Sequence, residues 1–256
     1  MRKFWSLVKK EWHMYKAWPI IHLIVGVVFI GLLPMFEHRL TNSMTGEELR
    51  LLFMGLSLLF IGFATPLQFL LSIKKDIKVK VLWLHNSGAI TMLIGAKLVY
   101  TLIWIVMLSI LYTFTFHFVE GIVRGTVVEI ICLQLFVVSI VFILGILTPL
   151  IALPFYTVYL QLKRYISYGS VIITGAAFVA FLFAVEKCSS SILYGKLLRH
   201  GEISLQPLEV MLPTFSSGGM HLTLGSLYIV EELVIWALLA ACFIAASKWI
   251  ERVITR

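Results

Sequence analysis

The chain has 256 residues, 60% hydrophobic and only 13% charged, with a formal net charge of +8 and a mean hydropathy of +0.98. A soluble domain carries about a quarter of its residues as charge, and a single core of this length could not hide so much apolar surface. The basic excess is not that of a nucleic-acid binder, because no compact basic domain carries it, and Cys132, Cys188 and Cys242 are too widely spaced for a disulfide framework or a metal motif.

Residues 1–18 predict an amphipathic helix. At about 100° per residue, Phe4, Trp5, Leu7, Val8, Trp12, Met14 and Tyr15 gather on one side, and Lys3, Ser6, Lys9, Lys10, His13 and Lys16 take the other. Such a helix lies in a membrane interface, with its lysines toward water and anionic lipid. Glu11 is the exception, because it falls inside the apolar face. It either snorkels or pairs locally, or it meets a basic partner on another segment or subunit. Pro19 is expected to end this helix. No small-residue cleavage site follows the first apolar run, so the stretch does not read as a cleaved signal peptide.

A hydrocarbon core about 30 Å thick takes roughly 20 apolar residues of helix. Six segments meet that length: residues 19–36, 51–73, 93–119, 127–160, 166–185 and 227–247. The fourth contains Pro149 and Pro154 and is expected to be one long kinked helix. Fifteen of the 21 lysines and arginines lie before the first span, in the gap after the second (Lys97, at the start of the third span, being counted with that loop), in the gap after the fourth, and in the tail; six lie in the intervening gaps. That bias places both termini in the cytoplasm of a multi-pass plasma-membrane protein. The fold class is therefore all-α: one transmembrane domain over residues 1–256, with six spans after an interfacial helix. The largest extracytoplasmic gap, residues 186–226, mixes turn residues with apolar stretches and predicts short re-entrant helices between spans five and six.

Polar residues inside spans are the default functional candidates. Thr65 and Gln68 flank Pro66 in the second span, and Tyr168, Ser170 and Thr174 fall in the fifth. Glu231 and Glu232 open the sixth, one at headgroup level and the other drawn inward by a partner. His22 reads as a satisfied polar neighbour and His117 as an interface residue.

The cytoplasmic loop over residues 74–92 runs from a charged stalk, Lys74-Lys75-Asp76, through Leu82-Trp83-Leu84 to the turn-prone His85-Asn86-Ser87-Gly88. Together with Lys10-Glu11-Trp12 at the N-terminus, this loop resembles that of the permease subunits of type-2 ATP-binding-cassette exporters. Asp76, Leu82, Leu84, Ser87, Gly95 and Lys97 fall at places comparable to that family's loop pattern. Asn86 stands where the family usually has proline, and Gly88 where it often has a basic residue. The resemblance implies six spans after a connecting helix. It also implies an ATPase-coupling set of Glu11, Lys74, Lys75, Asp76, Leu82, Trp83, Leu84, His85, Asn86 and Ser87, and a pathway lined by spans two and five.

No phosphate-binding loop is present. Gly195-Lys196 lacks the earlier glycine and the following Ser or Thr. The chain itself is therefore expected to be no enzyme and to hold no cofactor or metal. On the resemblance, ATP and Mg belong to separate cytoplasmic ATPase subunits, and a second permease subunit, identical or different, completes the pathway. The lipid bilayer is the remaining partner. An amphipathic or lipophilic cargo follows from the apolar lining, with an amphipathic or antimicrobial peptide first and a drug or lipid-linked molecule next. A secondary transporter or channel would show a repeat or a discontinuous-helix ion site, and neither is legible. A non-transporting immunity protein is a further alternative. An intramembrane protease built on Glu231-Glu232 would need an arginine soon after, where Trp236 stands.

Overall fold

The computed structural model describes residues 2–26, 28, 46–78, 90–115, 123–124, 127–210, 214–215 and 225–255. Leu82, Trp83, Leu84, His85, Asn86 and Ser87 of the expected coupling loop lie outside the described residues, as does His117. In chain order the elements are α1 (Arg2–Tyr15), α2 (Ala17–Gly26), α3 (Gly46–Lys78), α4 (Ile90–Thr115), β1 (Val123–Arg124), α5 (Val127–Leu162), α6 (Gly169–Ser189), α7 (Ile192–Leu198), β2 (Glu202–Ser204), α8 (Gln206–Val210), β3 (Thr214–Phe215), β4 (Ser226–Tyr228) and α9 (Ile229–Thr255).

Four stretches among the described residues are long and apolar enough to cross a membrane: Ile90–Ile110, Ile131–Leu162, Gly169–Ser189 and Ile229–Val253. The chain is thus a mostly helical, membrane-embedded protein. The first helix ends at Tyr15, with a turn at Lys16, and not at Pro19. Pro19 sits in the first turn of α2, where the missing amide would have had no helical acceptor. Pro66 lies inside α3, and Pro149 and Pro154 lie inside α5, without interrupting either helix. The α5 hydroxyls bond back to their own helix: Ser139 donates to the Leu135 carbonyl (2.8 Å), Thr148 to Leu144 (2.8 Å) and Thr157 to Leu153 (2.7 Å).

The chain divides into two compact units. The first comprises Met1–Phe69, Gly95–Thr148 and Gln206–Leu224. Val8 and Tyr15 of α1 pack there on Ala96 and Tyr100 of α4, flanked by Phe4, Leu7, Met14, Trp18, Ile103 and Trp104. The apolar face of α1 is therefore occupied largely by protein, while Trp5 stays exposed. A second cluster joins Ile105 and Leu108 of α4 to Val141 of α5. Gly145 faces Ile105 so closely that a Cβ there would strike the isoleucine side chain. A small residue at such a point lets two membrane helices approach. β1 pairs with β3 antiparallel, Val123 opposite Phe215.

The second unit comprises Leu70–Ile94, Pro149–Leu205 and Gly225–Arg256. Phe155 of α5 meets Phe178 and Phe181 of α6 edge to face, at 5.2 and 5.5 Å between centroids. Most side chains of α6 and α9 are exposed. Between these helices lie α7 and the antiparallel pair β2–β4, with Glu202 opposite Tyr228. Gly201 turns the chain from α7 into β2 at φ 71°, a left-handed conformation that a side chain disfavours. The expected insert thus contains short helices, but also strands that two- and three-residue segments gave no periodicity to predict.

Candidate functional site

The polar centre of the first unit grows from α1. Its buried positions, Val8, Glu11 and Tyr15, recur at spacings of three and four residues, so one helical face turns inward. Glu11 is among them and is fully buried. On α4, Ala96 and Tyr100 bracket Lys97, which is equally buried. The Lys97 ammonium donates to Glu11 Oε1 at 2.8 Å, an ion pair with both side chains at most 1% exposed. Taking two charges out of water costs several kcal/mol each, to order of magnitude, and close, well-directed pairing is what offsets it. Lys97 Nζ also lies 5.8 Å from the centroid of the Tyr15 ring.

Aromatic rings from the same two helices pack on one another. Trp12 of α1 stacks on Trp104 of α4 at 4.6 Å between centroids and 19° between planes. Tyr100 stands edge-on to both, at 6.4 and 6.3 Å. The Thr101 hydroxyl donates to the Lys97 carbonyl at 2.8 Å. Gln68 and Thr65 of α3 are buried in this unit, and the Gln68 amide and the Trp104 indole both lie beside the Tyr100 hydroxyl. Among the described residues, no hydrogen bond of good geometry forms at Tyr100 Oη, Gln68 Nε2 or Trp104 Nε1. A buried hydroxyl flanked by two N–H donors suits a small acceptor or a water. His22 is buried, and its Nδ1–H donates to the Trp18 carbonyl at 2.7 Å.

The remaining described sequence candidates belong to the second unit. Lys74 and Lys75 are exposed at the end of α3, while Asp76 beside them is 2% exposed. Tyr168 precedes α6 and is 91% exposed; Ser170 is buried and donates to the Ser167 carbonyl at 2.7 Å; Thr174 is half-buried, its hydroxyl without a hydrogen-bond partner among the described residues. Glu231 accepts a hydrogen bond from the Tyr194 hydroxyl of α7 at 2.6 Å, and Glu232 is exposed. That bond is the chief cause of a Tyr194 hydroxyl pushed up to about 12, with burial second. Ser191 caps α7 by accepting from the Tyr194 amide.

Lys97 is the residue that sequence reasoning misplaced. Counted with the loop cations, it sits inside α4 and is buried. Its signal was present: a lone cation behind Gly95 and Ala96 in an apolar run, matching the lone acid on the apolar face of α1. Among the described residues no group of three His, Cys, Asp or Glu side chains is placed to hold a metal ion. No family model matches the chain, and no curated protein or solved structure does so either.

Proposed function

We propose that this chain is the membrane-spanning subunit of an exporter driven by a separate cytoplasmic ATPase. In this reading α2 opens the first of six spans, α3 is the second, α4 to α6 the third to fifth, and α9 the sixth. Both termini are cytoplasmic on the distribution of lysine and arginine. The observation that carries the reading is the Glu11–Lys97 bond. It fastens a charged N-terminal helix to the third span just beyond the expected coupling loop. A push delivered to residues 82–89 would reach the start of α4, and through Lys97 it would reach α1. The exposed Lys74 and Lys75 at the end of α3 supply a charged surface for the motor.

ATP and Mg are bound by the partner ATPase, and a second permease subunit faces this one. Coupling requires the motor to contact the inward- and outward-facing states differently. The cargo is amphipathic or lipophilic, with a peptide the first candidate, and Thr65, Gln68, Tyr168, Ser170 and Thr174 are the lining candidates. Short helices such as α7, whose Ile192, Leu193 and Leu197 are exposed, would dip toward the outer leaflet.

The test is purification of the tagged chain in mild detergent, followed by reconstitution. An ATPase co-eluting at equal stoichiometry and ATP-dependent peptide transport are the expected results. Transport that persists in vesicles holding no ATPase would replace this reading with that of a secondary transporter.

A further inference from the structure

A second charged feature lies far along the chain, where α5 and α9 end. Gln161 stands in the last turn of α5, and Arg164 and Tyr165 follow in the turn that closes it. Ala245, Lys248, Trp249, Arg252 and Val253 stand at i, i+3, i+4, i+7 and i+8 on α9. These residues line one open cavity of about 450 Å³. The Arg164 guanidinium donates to the Val253 carbonyl, which holds the two helix ends together. Arg164, Lys248 and Arg252 thus converge around a space large enough for a small ligand.

We infer that this cavity binds the phosphate headgroup of an anionic phospholipid. Three cations select a phosphate or a comparable anion. Depth selects a lipid over a soluble anion, because the cavity lies within about two turns of the ends of Ile131–Leu162 and Ile229–Val253, both apolar enough to cross a membrane. Trp249 and Tyr165 are exposed beside it, the residue types that settle at headgroup level. Down α9 the exposed Leu238, Ala241 and Cys242 precede Ala245 by seven, four and three residues, on the same helical face, and give an apolar track along which an acyl chain can lie. Basic pockets between membrane helices hold anionic headgroups in this way. The site does not depend on transport, since a chain that moved no cargo would still hold this lipid.

The test incubates the purified full-length chain with an equimolar mixture of phosphatidylglycerol and phosphatidylcholine and counts retained lipids by native mass spectrometry. The wild type should retain phosphatidylglycerol preferentially. Lys248→Gln and Arg252→Gln, which leave the Arg164 bond in place, should each lower that preference about fivefold, since one cation near a membrane surface contributes about a factor of that size. Lys196→Gln, on the exposed side of α7, should leave it unchanged. Equal preference in the wild type and both cavity variants would overturn the assignment. So would displacement of the lipid by inorganic phosphate, which would make the site one for a soluble anion.

Discussion

Glu11 and Lys97 stand 86 positions apart in sequence and 2.8 Å apart in space, with almost no water contact. Removing one partner leaves the other charge buried and uncompensated, which costs about 3–5 kcal/mol, whereas replacing both with apolar residues of similar volume is often neutral. Glu11→Leu and Lys97→Met should each lower the thermal transition of the detergent-solubilised protein, and the double variant should recover most of the loss. If either single variant melts with the wild type, the pair contributes nothing to stability.

Gly145 is a contact of shape. A side chain there would overlap the Cδ1 methyl of Ile105, and Cγ2 and Cγ1 follow at 3.3 and 3.4 Å, so the isoleucine must both turn its tip away and give ground by a few tenths of an ångström. Gly145→Val should therefore destabilise by about 1–3 kcal/mol, the usual scale of overpacking. Adding Ile105→Ala should return part of that loss. The check is a double-mutant cycle on heat-induced precipitation, and additive losses would mean that the two positions do not touch.

The Tyr194–Glu231 bond docks α7 on the first turn of α9. The Tyr194 hydroxyl is raised from about 10 to about 12, so the neutral phenol is the form the fold favours. Its contribution is complete below pH 10 and is lost as the pH rises toward 12. The ultraviolet titration difference between wild type and Tyr194→Phe should show a midpoint near 12; one near 10 would mean the bond does not form in solution. At neutral pH, Tyr194→Phe should speed amide exchange over α7. Ser191→Ala should do the same, at about 1 kcal/mol for a lost cap.

The proposed coupling surface makes a separate prediction. Lys74→Glu with Lys75→Glu, on the exposed end of α3, should uncouple ATP hydrolysis from transport while leaving membrane insertion intact. Trp83→Ala should act in the same sense. Proteoliposome transport set beside phosphate release reads the ratio directly, and unchanged coupling in both variants would remove residues 74–92 from the motor contact.

The helices were legible because apolar runs of membrane length announce themselves in one dimension. Thus α5 was expected over 127–160 and runs Val127–Leu162. Glu11 was visible as an acid on the wrong face of α1. Its partner was not, because hydropathy cannot distinguish a lysine just outside a span from one a few residues inside it. Lys97 lies a few residues into α4. Tyr194 was missed for a related reason: 37 positions separate it from Glu231, and a tyrosine in a short apolar segment has no periodic signature of a hydrogen bond. The strands β1 to β4 are set by long-range pairing and not by local pattern.

The separation of the Glu11–Lys97 pair also orders events during synthesis. At about 5–20 residues per second, the ribosome takes roughly 4–17 s to pass from Glu11 to Lys97. For that interval the nascent N-terminal segment exists without the ammonium that neutralises it. Its tryptophans offer a temporary resting place on the bilayer surface, and docking waits until the later helix has been threaded in. Assembly of the first unit is therefore gated by translation, and a truncated nascent chain stopped before Lys97 leaves the leading segment undocked.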